Sequence, residues 1–237
     1  MTGPFEFESK SVEQTLAIGR AVARTAQAGD VVALIGDLGA GKTQFVRGMA
    51  MGLGIEPRRV TSPTFVLIQE YGAPTPDSPF LVHIDAFRLQ GPEDLRATGW
   101  DGQDNELRRE SIVAVEWADR VLPVLGRDRL DVQIEHVDEG RLVIITPQGH
   151  WCDRLPTLLG ELAAAGVGDR ARREPVTAGE RSDRSAHCPV CGKSLRQGRR
   201  YAPFCSERCR TIDLGRWLDE KYVISRPLEQ QDADEGH

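Results

Sequence analysis

Apolar positions follow two rhythms along this chain. Unbroken runs at Asp30-Val-Val-Ala-Leu-Ile35, Phe80–Asp85 and Ser111–Glu116 read as strands buried on both faces of a parallel sheet. Between them apolar residues recur at helical spacing. Ser11-Val-Glu-Gln14 reads as a capping box, Val12, Leu16, Val22 and Ala26 keep an approximate stripe behind it, and Gly29 stops the helix. A second helix is predicted from about Lys42 to Leu53, Pro92-Glu-Asp-Leu95 opens a short one with acids in its first turn, and Asp153–Ala165 reads as a closing helix. Phe65–Glu70 is a further strand, separated from Phe80–Asp85 by the Pro-rich stretch Ala73–Pro79. Leu130–Val137 and Arg141–Thr146 alternate about Asp138-Glu-Gly140, a hairpin signature. Strands interleaved with helices make this an α/β fold, a mostly parallel sheet with an antiparallel edge toward its end.

After the closing helix the pattern stops. Gly166 to about Ser185 is rich in Gly, Arg, Glu, Asp and Ser with almost no large apolar residue, so it reads as a linker. The organisation expected is a domain over 1–165, a linker over 166–185, a small module over 186–226 and an acidic tail over 227–237. Charge follows the same divisions. Residues 1–182 carry 20 Lys/Arg against 27 Asp/Glu, residues 183–226 carry 10 against 5, and the last eleven residues add four acids, for a net charge of −6. A basic module between acidic segments points to an anionic partner for it. No run approaches the roughly 18–20 apolar residues a membrane helix needs. The first ten residues lack a basic start followed by an apolar stretch, so a cytoplasmic protein without membrane attachment is expected.

The chemistry starts at Gly36-Asp-Leu-Gly-Ala-Gly41-Lys42-Thr43, which fits G-x-x-x-x-G-K-[ST] between a strand and a helix. Glycines let successive N–H groups turn inward onto a polyphosphate, and the helix that begins near Lys42 adds the positive end of its dipole. Lys42 would supply a fixed cation to the β- and γ-phosphates, and the Thr43 hydroxyl a ligand to Mg²⁺. Hydrolysis also needs an acid for the metal and a group to orient water. Asp85 and Glu116 each end an apolar strand at the carboxyl edge of the sheet, where ligands of open α/β sheets bind. The loop Thr61-Ser-Pro-Thr64 is hydroxyl-rich and proline-fixed, and could fold over the γ-phosphate like a switch.

The P-loop, Ser62-Pro-Thr-Phe65, His83-Ile-Asp85 with Arg88-Leu89, and Val115-Glu-Trp117 occur together in this order. The chain over roughly 5–165 thereby resembles TsaE (YjeE), the small P-loop ATPase family of bacterial tRNA threonylcarbamoyladenosine synthesis. The resemblance implies an ATP hydrolase that acts with TsaB and TsaD, which modify adenosine at position 37 of tRNA, so that tRNA is met only indirectly. It implies that Gly39, Ala40, Gly41, Lys42, Thr43 and Gln44 hold the phosphates, that Thr43 and Glu116 ligate Mg²⁺, and that Asp85 sits near the γ-phosphate and orients water. Arg141 matches a position on the nucleotide side. Trp117 and the switch-like Ser62, Pro63 and Thr64 would respond to nucleotide state.

Of five cysteines, Cys152 stands alone, whereas Cys188, Cys191, Cys205 and Cys209 fall within 22 residues. Cys188-Pro-Val-Cys191 and Cys205-Ser-Glu-Arg-Cys209 form two short knuckles suited to one tetrahedral Zn²⁺, with His187 a neighbour rather than a ligand. Iron–sulfur ligation uses the same thiolates, but short knuckles suit zinc better. A segment this small has too little core to fold alone, so the metal would supply much of its folding free energy. Cys-Pro-x-Cys-Gly-Lys, Pro203-Phe-Cys205-Ser-x-Arg-Cys209 and Ile212-Asp-Leu-Gly-x-Trp217 make residues 186–226 resemble YacG, a small zinc-protein family that inhibits DNA gyrase. That implies binding to the GyrB subunit, with Arg196, Arg199, Arg200, Arg208, Arg210 and Trp217 as contact residues and Ile212–Leu218 as a short helix. Two other readings stay open: a zinc module that brings the ATPase to tRNA, and a P-loop small-molecule kinase.

Overall fold

The structure is a computed structural model, and it describes residues 4–63, 67–72, 75, 78–100, 106–137, 140–168, 188, 190–194, 205–209 and 212. The chain divides into two compact units, Met1–Pro175 and Val176–His237. Thr64, the turn at Asp138-Glu139, most of the expected linker, His187, Arg196, Arg199, Arg200, Arg210, Trp217 and the tail lie outside the described residues.

In the first unit the elements run β1 (Phe5–Ser9), α1 (Val12–Thr25), β2 (Val31–Ile35), α2 (Lys42–Gly52), β3 (Ile68–Tyr71), β4 (Phe80–Asp85), α3 (Pro92–Arg96), α4 (Glu106–Arg109), β5 (Ser111–Glu116), β6 (Leu130–Val137), β7 (Gly140–Pro147) and α5 (Trp151–Ala164). Seven strands form one sheet in the order β1-β7-β6-β2-β5-β4-β3. The central strands β6, β2, β5 and β4 are parallel, and β7, β1 and β3 add antiparallel edges. Strand β1 was not expected from the apolar runs. Its Phe5 and Phe7 face the core while Glu6 and Glu8 face water, and this short alternation acquires meaning only as the partner of β7.

Local chemistry explains the helix starts. Ser11 caps α1 by accepting from Gln14 N–H, and the Gln14 side chain reaches back to accept from Lys10 N–H at 2.7 Å. Gly41 caps the start of α2, and its φ of +112° lies in the left-handed region that glycine tolerates.

The sheet is buried on both faces. Phe45, Val46 and Met49 of α2, Ile18 and Val22 of α1, and Trp151, Leu155 and Leu158 of α5 cover one face. Leu95, Trp100, Val121 and Leu125 cover the other, with Trp100 donating its indole N–H to the Val124 carbonyl. In β5, Ile112 and Ala114 belong to the first layer and Val113 and Val115 to the second, which is why that run shows no polar alternation. Arg154 of α5 grips Asp30 with both guanidinium nitrogens, at 2.6 and 2.7 Å, and anchors the start of β2.

Helices α1 and α2 meet through glycines. A Cβ added at Gly19 would lie 2.2 Å from the Phe45 carbonyl oxygen, and one at Gly48 would lie 2.2 Å from that of Leu16. The backbone obstructs, so relief requires the helices to part. Gly48→Ala is therefore expected to cost about 1–3 kcal/mol by overpacking, read as a lower urea midpoint of the full chain; an unchanged midpoint would show slack between the helices.

Candidate nucleotide and metal sites

The parallel strands deliver their chemistry to one edge. Ile35 of β2 runs into the glycine-rich loop, and register sets Glu116 beside Leu34 on one side and beside Asp85 on the other. The loop curls because Gly36, Gly39 and Gly41 take φ of +153°, +73° and +112°. A Cβ on Gly36 would also strike the Ile134 carbonyl at 2.3 Å, so only glycine lets the loop leave the sheet there. Gln44 lies in the first turn of α2, whose free N–H groups open toward the loop.

Lys42 is buried. Its Nζ donates to the carbonyls of Gly36 at 2.7 Å and Asp37 at 2.9 Å, and it lies 3.7 Å from the centroid of the Trp117 ring. Burial pulls its pKa below the ordinary lysine value, while Glu116, Asp85, Asp37 and Asp119 work the other way and favour the cation. Trp117 reaches this position from a backbone φ of +58°, unusual for so large a residue.

Thr43 donates its hydroxyl to Glu116 Oε1 at 2.8 Å, so the expected metal-ligand pair stands together. His83 Nε2 lies 2.9 Å from the same oxygen. Burial pushes the Glu116 carboxyl up, but the hydrogen bond from His83, the Lys42 ammonium and the Thr43 hydroxyl outweigh it and hold the group below its ordinary pKa. A buried carboxylate kept ionised beside a hydroxyl at a helix start is a donor set of the kind Mg²⁺ takes.

Asp85 is buried beside this pair. Its Oδ2 accepts from Ser62 Oγ at 2.6 Å and its Oδ1 from Phe87 N–H at 2.9 Å, so the Ser62 hydroxyl sits on the candidate water-orienting acid. The loop is tied down from other directions: Arg47 donates to Val60 O at 2.9 Å, and Leu67 N–H donates to Pro63 O at 2.7 Å. Leu67 holds a φ of +71° while its carbonyl accepts from Asp85 N–H. Arg141, on β7, turns its guanidinium to the loop backbone, with Nε on Ala40 O at 2.9 Å and Nη2 on Gly39 O at 3.1 Å. It braces the two peptides expected to face phosphate.

His83 and Trp117 were legible only as parts of a motif. The signal that could have exposed His83 is a lone histidine inside the apolar run Leu81-Val-His-Ile.

In the second unit Cys188, Cys191, Cys205 and Cys209 bring their sulfurs within 4.8 Å of one another, with Cys205 3.5 Å from both Cys191 and Cys209. A tetrahedral ion about 2.3 Å from each sulfur would separate them by about 3.8 Å, whereas a disulfide would bring two to about 2.05 Å. The first knuckle closes where Gly192, at a φ of +68°, donates its N–H to Cys188 O at 2.8 Å. Burial opposes the Cys188 thiolate, but backbone N–H groups of Cys205, Cys191 and Val190 bring that thiol down to about 6. A hydrogen bond from Ser206 favours the Cys209 thiolate, yet the sulfurs of Cys205, Cys191 and Cys188 push it up to about 12. Crowded thiols suppress one another's ionisation, and a divalent cation removes that conflict. The four fit zinc.

Fold and loop together define a P-loop nucleotide-binding domain of α/β type. Residues 9–143 match the family model described as threonylcarbamoyl adenosine biosynthesis protein TsaE, and residues 186–235 match that of the DNA gyrase inhibitor YacG. The first unit is similar to the tRNA threonylcarbamoyladenosine biosynthesis proteins TsaE of Streptomyces coelicolor, at 39% identity over 56% of this chain and 89% of that one, and of Bacillus subtilis, at 39% over 58% and 82%. The crystal structure of Bacillus subtilis YdiB matches with a TM-score of 0.51 and 32% identity, over 70% of this chain and 98% of that one. The chain belongs to the TsaE family, with a YacG-type cysteine module toward its C-terminus. No helix among the described residues is long and apolar enough to cross a membrane.

If the four sulfurs share one ion, the purified full chain should contain one zinc. Cys191→Ser should release it and remove a separate unfolding transition while leaving that of the first unit in place. Full zinc retention in the variant would contradict the shared site.

Proposed function

We propose that residues 1–165 bind and hydrolyse Mg-ATP in support of threonylcarbamoyladenosine formation at tRNA position 37, acting with TsaB and TsaD in the cytoplasm. A linker over 166–185 joins them to a zinc-stapled module over 186–226, which binds the GyrB subunit of DNA gyrase, and residues 227–237 form an acidic tail. The observation that carries the first half is the Thr43–Glu116 hydrogen bond at the foot of the P-loop, with Lys42 buried beside it.

Magnesium, held by Thr43 and Glu116, would screen the charge of the β- and γ-phosphates. The remaining chemistry belongs to side chains. Lys42 exchanges two loop carbonyls and the face of Trp117 for phosphate oxygens. Gly39 to Gln44 offer backbone N–H groups that Arg141 keeps in register from behind. Asp85, freed of Ser62, orients a water whose oxygen bonds to the γ-phosphorus as the bond to the ADP oxygen breaks. The acidic balance of residues 1–182 supports protein partners over direct tRNA binding, since phosphate contacts need clustered Lys and Arg.

Lys42→Ala and Glu116→Ala in the full chain should each lower ATP turnover by roughly 100-fold or more while zinc content stays unchanged. Normal turnover in Glu116→Ala would move the metal role to Asp85, and phosphate transfer to an added small acceptor would favour a kinase. Capture from lysate should partition by variant, Lys42→Ala altering association with TsaB and TsaD and Cys209→Ser abolishing that with GyrB. The excess of cations over 183–226 favours a second reading, a nucleic-acid adaptor; steeply salt-dependent tRNA binding lost in Cys209→Ser, without GyrB capture, would establish it instead.

A further inference from the structure

His83 is completely buried in the middle of β4. Leu81 of β4, and Ile112 and Ala114 of β5, lie on the face that α1 and α2 cover, and by strand alternation His83, Asp85 and Glu116 share it. Register puts His83 opposite Ala114 and Asp85 opposite Glu116, so the small Ala114 side chain leaves the imidazole room to reach diagonally toward Glu116. Its Nε2 lies 2.9 Å from Glu116 Oε1, the oxygen that also accepts from Thr43. An ionised carboxylate only accepts, so the hydrogen of this contact belongs to Nε2. Nδ1 is buried with no hydrogen-bond partner among the described residues. As core filler such a ring is a poor choice, because leaving one nitrogen unsatisfied carries a desolvation penalty that a leucine avoids.

We infer that His83 is a positioning residue for magnesium, holding the Glu116 carboxylate at the angle from which it and the Thr43 hydroxyl can share the ion. The inference rests on the magnesium reading of Thr43 and Glu116 proposed above. Groups that orient a ligand from behind typically govern metal affinity by about 10- to 100-fold.

The test is Mn²⁺ binding to the full chain, followed by electron paramagnetic resonance with a β,γ-imido analogue of ATP. His83→Leu should weaken Mn²⁺ by about 10- to 100-fold while metal-free binding of the analogue is unchanged. His83→Gln, which restores an N–H donor, should recover affinity to within a few-fold of wild type. In the wild-type chain, the His83 Nε2 proton should give a slowly exchanging NMR resonance that shifts when Mg²⁺ joins the nucleotide complex, a readout that does not depend on any variant folding. Wild-type Mn²⁺ affinity in His83→Leu, or an Nε2 resonance indifferent to Mg²⁺, would overturn the role of His83 alone. Absence of Mn²⁺ binding by the wild type would overturn the magnesium reading and this inference with it.

Discussion

A carboxylate inside a protein must be held by donors or lose its charge. Glu116 meets that constraint at the carboxyl end of a strand buried on both faces, with Thr43 and His83 donating to one oxygen and the Lys42 ammonium close by. The partners come from two elements flanking β5, Thr43 and Lys42 from the start of α2 and His83 from β4. The parallel order β2-β5-β4 brings those elements side by side. The sheet topology therefore gathers at one edge the donors that this buried charge needs.

Several devices hold the same edge from outside. Arg141 fastens the loop carbonyls from β7, the glycines of α1 and α2 let the helices approach until one meets the other's backbone, and Arg154 pins the root of β2. Among the described residues on either side of the Pro63-Thr64 pair, Val60 accepts from Arg47, Ser62 donates to Asp85, and Leu67 takes a left-handed backbone. The Ser62 hydroxyl thereby meets the acid expected to orient water.

The strand-loop-helix unit around Lys42 was legible because an apolar strand, a glycine spacing and a helix start agree at three levels. The expected boundary of α2 at Leu53 differs from the observed Gly52 by one residue, since the last turn frays into Gly54. The β6–β7 hairpin was legible from alternation on either side of the Asp138-Glu-Gly140 turn signature. Strand β1 was not, because five residues of alternation become a strand only through a partner more than a hundred positions away. Position decides the site residues as well. Asp85 and Glu116 could be picked out as strand-end acids, but the sequence holds no sign that Ser62 occupies one and His83 the other. Arg141 was expected toward the nucleotide, and its guanidinium lies on the backbone of the loop expected to hold it. In the cysteine module spacing carried nearly everything, because two knuckles and a tetrahedral ion leave little else to decide.

The function proposed above requires this edge of the sheet to hold one nucleotide through a magnesium ion gripped by Thr43 and Glu116. Calorimetric titration of the full chain with ATP, in Mg²⁺ and again in excess EDTA, addresses it directly. Saturation at one nucleotide per chain below millimolar concentration is expected with Mg²⁺, and markedly weaker uptake without it. No saturation at millimolar ATP, or equal affinity with and without the metal, would contradict it.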